Sequence, residues 1–69
     1  MPDAAYSLWR CGNDRFAVTP TDRVVPVLGY VSYNVADGTW VIERAGRMLP
    51  QTYRSVDDAA QALVDIEVA

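Results

Sequence analysis

Two tight turns lying close together in the sequence set the strongest limit on how this chain can fold. Asp37-Gly38 separates two runs in which apolar and polar residues alternate, and Ala45-Gly46-Arg47 comes directly after the second run. Asp-Gly between alternating runs is the strongest short-range signal of a β-hairpin. Short strands joined by such turns pair with their neighbours in the chain. Residues 28–54 are therefore predicted to form a three-stranded antiparallel meander.

The strands of this meander follow from alternation. Leu28–Val35 is rich in β-branched and aromatic residues and places Val31, Tyr33 and Val35 on one face. Trp40–Arg44 returns with Trp40 and Ile42 on one side, and Met48–Arg54 forms the third strand. Pro50 lacks an N–H and so assigns the first half of that strand to the edge of the sheet.

An additional hairpin is predicted at the N-terminus. Ala5–Cys11 and Arg15–Thr19 flank Gly12-Asn13-Asp14, a cluster typical of turns, and Pro20 ends the pairing. A lone two-stranded hairpin is marginal in water, so we expect it to pair with the meander.

Residues 56–66 show the spacing of an amphipathic helix. Ser55 is predicted to be the N-cap, and Asp57 and Asp58 suit the positive end of the helix dipole. The apolar positions recur at helical spacing and predict the buried face: Val56, Ala59, Ala60, Leu63 and Val64. The helix is expected to cross one face of the meander and to bury Trp40, Ile42 and Leu63. The predicted fold class is thus α+β, with an N-terminal hairpin, a three-stranded meander and one C-terminal helix in a single domain, residues 1–69.

Composition excludes several classes of function. The 69 residues contain one cysteine, no histidine and no lysine, so an internal disulfide and lysine or histidine catalysis have no residues to carry them. A zinc site is not expected, because there is no histidine and one thiol cannot supply four ligands. Cys11 is interpreted as a small apolar residue near a sheet edge. We expect no catalytic, cofactor-binding or metal-binding residues. No run is long enough to span a membrane and no export signal is recognisable, which favours the cytoplasm.

The charge distribution bears on possible partners. All six basic residues are arginine; residues 24–54 carry a net +1 and residues 55–69 a net −4. A protein that binds duplex DNA normally has a basic stripe, and here that stripe is thin. The arginine bias, together with abundant Ala, Val and Asp, suggests a GC-rich genome such as that of an actinobacterium or its phage.

The aromatic residues provide the candidate contacts. Trp40, Tyr33 and Tyr53 are expected to form the core under the helix, whereas Tyr30 and Trp9 are the candidates for an exposed contact. Exposed Tyr and Trp favour protein–protein contact as much as stacking on nucleic-acid bases.

The spacing of residues 29–64 resembles a known family. Asp37-Gly38-Thr39-Trp40-Val41-Ile42, followed by Gly46-Arg47, Thr52-Tyr53-Arg54-Ser55 and Asp58-Ala59-Ala60 with Leu63, is similar to the AP2-like arm-binding domains of phage integrases. It is similar also to small uncharacterised proteins of actinobacteria and their phages. The resemblance implies three strands packed by a helix, and DNA contacts from basic residues on the exposed sheet face, here Arg44, Arg47 and Arg54.

Two functions therefore stay open. The first is a non-enzymatic accessory module that binds another protein through the face carrying Tyr30, the segment Val24–Leu28 or an exposed edge strand. The second is a weak DNA-binding domain of the arm-binding type. A homodimer is a further expectation, because Val24, Val25, Val27 and Leu28 lie outside the regular meander and could pair with a second copy.

Overall fold

A computed structural model describes residues 6–21 and 26–68, with the backbone alone for Val68. Its elements are β1 (Tyr6–Gly12), β2 (Arg15–Pro20), β3 (Gly29–Asn34), β4 (Thr39–Arg44), β5 (Arg47–Tyr53) and α1 (Val56–Val68). The strands form one sheet in the order β1-β2-β3-β4-β5, and all neighbours are antiparallel. The α+β class and the single C-terminal helix are confirmed.

The division of the sheet into a hairpin and a separate meander is not found. β2 pairs with β3 over four residues, with Phe16 opposite Val31 and Val18 opposite Gly29. The expected pairing of the hairpin with the rest of the sheet is therefore present, and it makes the five strands one continuous meander. Stability of the N-terminal hairpin consequently depends on contacts with β3 as well as on its own turn.

The two predicted turns have the backbone that they require. Gly38 has a φ of 68° and its N–H donates to the carbonyl of Asn34 at 2.8 Å. Ala45 and Gly46 have φ values of 54° and 77°, so Ala45 adopts a left-handed conformation that is unusual for a residue with a Cβ. β3 ends at Asn34, and Val35 in the turn is 77% exposed. Val35 therefore does not continue the strand face of Val31 and Tyr33, as the alternation had predicted.

The core lies between the sheet and α1. Val18, Val31 and Ile42 from three central strands are fully buried against Leu63 of the helix. Ala59 and Ala60 are fully buried too and Val64 nearly so, which confirms the predicted inner face of the helix. The Ser55 hydroxyl accepts a hydrogen bond from the N–H of Asp58 at 3.0 Å, as an N-cap should.

Gly29 is the point of closest approach between helix and sheet. A Cβ at this position would lie 2.7 Å from the Glu43 carbonyl oxygen and 2.9 Å from a methyl group of Leu63. The small Ala59 and Ala60 and the missing side chain of Gly29 together let α1 lie close on β3. An isolated glycine inside a strand often marks such an approach.

The predicted aromatic core is only partly formed. Trp40 contacts Tyr33 and Phe16, with ring centroids 5.3 Å and 6.0 Å apart respectively. Trp40 and Tyr53 are half-buried, and Tyr33 is 37% exposed, so its assignment to the core was wrong. These rings share the helix side of the sheet by register, but the residues that α1 covers completely are aliphatic.

Polar contacts hold both ends of α1 to the sheet. At its start the Tyr6 hydroxyl of β1 donates to Asp57 Oδ1 at 2.8 Å, and at its end Arg44 Nε of β4 donates to Glu67 Oε1 at 2.6 Å. Partial burial, the bond to Asp57 and the nearby carboxylates of Asp57 and Asp58 raise the pKa of Tyr6 to about 12. The helix thus reaches from the first strand to the fourth.

Candidate interaction surface

The register of the sheet defines a row of side chains on the face away from α1. Residues directly opposite each other in antiparallel strands lie on the same face. One such row crosses all five strands: Trp9, Ala17, Tyr30, Glu43 and Met48. Along each strand, the residues next to members of this row face α1. We call this row, together with Ser7, Arg15, Thr19, Ser32 and Val41, the open face.

Trp9 is the largest side chain of the open face and is held in position. It is 43% exposed, yet its ring N–H donates to the Thr19 hydroxyl at 2.7 Å. Thr19 is fully buried and Ala17 is 8% exposed, although both point away from the helix. The indole ring therefore covers part of the open face and presents its outer side to solvent in a fixed orientation.

The centre of the open face is electrically balanced. The Arg15 guanidinium carbon lies 4.3 Å from the centroid of the Tyr30 ring, and an Arg15 nitrogen lies 3.1 Å from a Glu43 carboxylate oxygen. A half-exposed ion pair contributes little to stability. Its effect here is to neutralise the face and to fix the Tyr30 ring beneath a guanidinium plane.

The structure brings together some of the predicted contact residues and separates others. Trp9 and Tyr30 lie in the same row, with Ala17 between them. Arg44 pairs with Glu67 of the helix, Arg47 lies opposite Arg44 and is exposed, and Arg54 is exposed in the bend after β5. By register Arg44 and Arg47 belong to the helix side, so this pair does not extend the open face.

The open-face residues that sequence reasoning did not identify include Arg15, Thr19, Glu43 and Met48. Arg15 and Glu43 belong to strands that are not adjacent in the sheet, so no local spacing relates them. Thr19 follows Val18 in an alternating strand, and alternation alone would have placed it on an exposed face. Met48 is 62% exposed beside a turn, and its position could have been found from the predicted register of the second hairpin.

The segment before β3 is described only in part. Val24 and Val25 lie outside the described residues. Val27 is 43% exposed, whereas Leu28 packs against the core and its N–H donates to the Val18 carbonyl at 2.8 Å. Leu28 therefore packs into the core of its own chain and is not available for contact with a partner.

A shallow cavity of about 380 Å³ lies at the end of the β4–β5 hairpin. Its lining consists of Arg44, Ala45, Arg47, Met48, Leu49 and Pro50. The two guanidinium groups could attract an anion, but Arg44 is already paired with Glu67. None of these side chains can act as a nucleophile or as a general base near neutral pH.

Residues 6–21 and 26–68 were compared with the requirements of a metal site, a disulfide and a membrane-spanning helix, and they meet none of them. In this part of the chain no three His, Cys, Asp or Glu residues come close enough together to hold a metal ion. Cys11 is exposed on β1 and has no disulfide partner among the described residues. No described helix is both long enough and apolar enough to cross a membrane.

The comparisons with known proteins identify no relative of this chain. No protein-family model matches the chain, and neither a curated protein nor a solved structure is significantly similar to it.

Proposed function

We propose that this protein is a small non-enzymatic interaction module that binds another protein through the open face. The observation that carries the proposal is Trp9, which is 43% exposed while its ring N–H is fixed to Thr19. An aromatic side chain that is already ordered loses little entropy when a partner covers it. Tryptophan and tyrosine are also the residues most often found to dominate binding energy at protein interfaces.

The charge of the open face favours a protein partner over a nucleic acid. Its two described charges, Arg15 and Glu43, form an ion pair with each other. Nucleic-acid binding draws most of its affinity from cations that neutralise phosphates. A surface with two aromatic rings, whose described charges are paired with each other, fits the aromatic and charge-depleted centre of a protein interface better.

DNA binding of the AP2-like arm-binding type stays the second hypothesis, on the resemblance of residues 29–64. Under that hypothesis Arg44, Arg47 and Arg54 would contact phosphates. Two of these lie at the β4–β5 cavity rather than on the open face. A cytoplasmic location and an actinobacterial or phage origin remain part of the proposal, the first on the single cysteine and the second on the exclusive use of arginine.

Photo-crosslinking tests which surface binds. Benzoylphenylalanine is introduced in place of Met48, which lies on the open face, or of Val35, which lies in the β3–β4 turn. These positions are 62% and 77% exposed, so both probes are accessible. In an extract of the source organism we expect the Met48 probe to capture a defined protein, identified by mass spectrometry, that the Val35 probe does not capture.

The captured protein is then purified and titrated against variants. Trp9→Ala should weaken its binding at least about tenfold, as expected for an ordered aromatic anchor, and Val35→Ala should leave the affinity unchanged. Equal capture by both probes, or an affinity indifferent to Trp9→Ala, would contradict the proposed site.

A salt titration separates the two hypotheses. Binding of random duplex DNA is measured between low and physiological salt, with Arg47→Gln and Arg54→Gln as variants. We expect no binding at physiological salt. Tight binding whose affinity falls steeply with salt, with a shallower salt dependence in the arginine variants, would replace the protein-binding proposal by DNA binding.

A further inference from the structure

The two edges of the sheet differ in how they resist pairing with another strand. β5 carries Pro50, which lacks an N–H, and Arg47 at its start. Both features discourage the addition of a strand. β1 contains no proline, and its single charged residue is Arg10. No described residue lies beyond β1 in the sheet.

The hydrogen bonds between β2 and β3 determine which residues of β1 direct their backbone N–H and C=O groups out of the sheet edge. The N–H of Tyr33 donates to the Asp14 carbonyl at 2.8 Å, in register with β2 and β3. Because bonding alternates along an antiparallel strand, Phe16 and Val18 also bond towards β3. Ala17 and Thr19 consequently bond towards β1.

The register then transfers this alternation to β1. Ala17 lies opposite Trp9 and Thr19 opposite Ser7, so those two residues of β1 bond inward. Tyr6, Leu8 and Arg10 direct their backbone N–H and C=O groups out of the sheet. These three residues lie two apart and are centred on Leu8, so the edge has the spacing needed to pair with a copy of itself.

We propose that two copies of the chain pair through β1, antiparallel, with Leu8 opposite Leu8 on a two-fold axis. Leu8 then faces Leu8, and Tyr6 faces Arg10 at both ends. These three facing pairs supply about six backbone hydrogen bonds and make one continuous ten-stranded sheet. Pairing shifted by two residues in either direction uses fewer of the outward groups.

Charge complementarity selects a second copy as the occupant of this edge. Tyr6, Leu8 and Arg10 lie on the same face of β1, the face covered by α1. The Tyr6 hydroxyl is bonded to Asp57, with Asp58 next to it in the helix. Arg10 of the second copy, placed opposite Tyr6, therefore lies beside these carboxylates. Within its own chain the Arg10 guanidinium donates only to the carbonyl oxygens of Gly12 and Asn13 among the described residues.

Mass and amide exchange measured on the unmodified protein test the pairing. Sedimentation equilibrium from about 10 µM to about 1 mM should show a reversible dimer. Residue-resolved amide exchange should show a particular alternation. The N–H groups of Tyr6, Leu8 and Arg10 gain protection as concentration rises, whereas those of Ser7 and Trp9 are protected at every concentration.

A charge reversal with a matched control tests the register. Arg10→Glu places a carboxylate beside Asp57 of the second copy at both ends of the interface and should weaken the dimer at least about tenfold. Arg47→Glu changes the net charge by the same amount at the opposite edge and should leave the dimer unchanged.

Each possible result decides the proposal. A mass that stays at one chain at about 1 mM overturns it and leaves the edge open to a strand of another protein. A dimer without protection at Leu8 places the interface elsewhere, and a dimer indifferent to Arg10→Glu overturns the register. Should Arg10→Glu fail to fold, the exchange pattern of the unmodified chain still decides the outcome.

Discussion

The face of the sheet beneath α1 and the open face are built from alternate residues of the same five strands, yet they are held together differently. Beneath α1, Val18, Val31 and Ile42 are fully buried against aliphatic helix residues. On the open face the contacts are specific and polar, from the Trp9–Thr19 hydrogen bond to the Arg15–Glu43 ion pair. The first kind of surface supplies stability through apolar area. The second supplies little stability but a defined shape, which is what a binding surface requires.

The comparison is tested most strongly by two neighbouring residues of β4. Ile42→Ala removes a fully buried side chain and should lower the free energy of unfolding by about 3 kcal/mol. Val41→Ala, one residue away on the open face, should cost less than about 1 kcal/mol because Val41 is only half-buried. Urea denaturation of both variants measures the difference. Similar losses would show that the open face is also a core.

Gly29 tests how closely α1 lies on the sheet. Gly29→Ala forces a methyl group against the Glu43 carbonyl and Leu63 and should cost about 2 kcal/mol. Ser32→Ala, on the open face of the same strand, is the control and should change stability by less than about 0.5 kcal/mol. A neutral Gly29→Ala in thermal denaturation would mean that the helix can move away from β3 without loss.

Thr19 tests whether Trp9 is held by its hydrogen bond. Thr19→Val keeps the shape of the side chain but removes the acceptor of the Trp9 ring N–H, and should cost about 1 kcal/mol. The ring should also become more mobile, which side-chain NMR relaxation of the indole N–H can measure. An unchanged indole signal would remove the basis for regarding Trp9 as preorganised.

The smallest expected effect concerns the Tyr6–Asp57 bond between β1 and the helix. In the folded chain the pKa of Tyr6 is raised to about 12, whereas a tyrosine in the unfolded chain ionises near 10. The contribution of this bond is therefore complete below about pH 10 and is lost as the pH rises towards 12. Tyr6→Phe should cost about 0.5 kcal/mol at pH 7, since the pair is largely exposed.

The pH dependence of that small difference provides the check. The gap in unfolding free energy between the unmodified chain and Tyr6→Phe is measured by urea denaturation from pH 7 to pH 11.5. We expect the gap to close above pH 10, while the other tyrosines, common to both proteins, cancel. A gap that widens with pH would contradict the raised pKa.

Alternation and turn chemistry made most of the fold predictable. The helix start at Ser55, its apolar face and the strands around Gly38 and Gly46 all follow from local spacing, and each is present in the structure. The pairing of β2 with β3 was expected from the weakness of an isolated hairpin. Its register was not predictable, because the connection between these strands contains no tight turn that would set it.

The open face was less predictable than the core. Trp9 and Tyr30 were both predicted to be exposed; Trp9 is 43% exposed, whereas Tyr30 is half-buried. Their alignment in one row depends on the β2–β3 register. Tyr33 shares a strand face with Val31 and was predicted to lie in the core, but it is exposed. It lies next to Asn34 at the end of β3. Alternation specifies the face of a residue, whereas burial depends on how far along the strand the helix reaches.

The two tryptophans lie on opposite faces of the sheet, so each face has one intrinsic indole fluorophore. Trp9 is half in solvent on the open face, and Trp40 lies among Phe16 and Tyr33 on the other side of the sheet. With Trp40→Phe the indole emission that remains reports contact at the open face; with Trp9→Phe it reports the loosening of the aromatic cluster. The chain thus contains its own fluorophore for each side, and binding and unfolding can be followed separately without an added label.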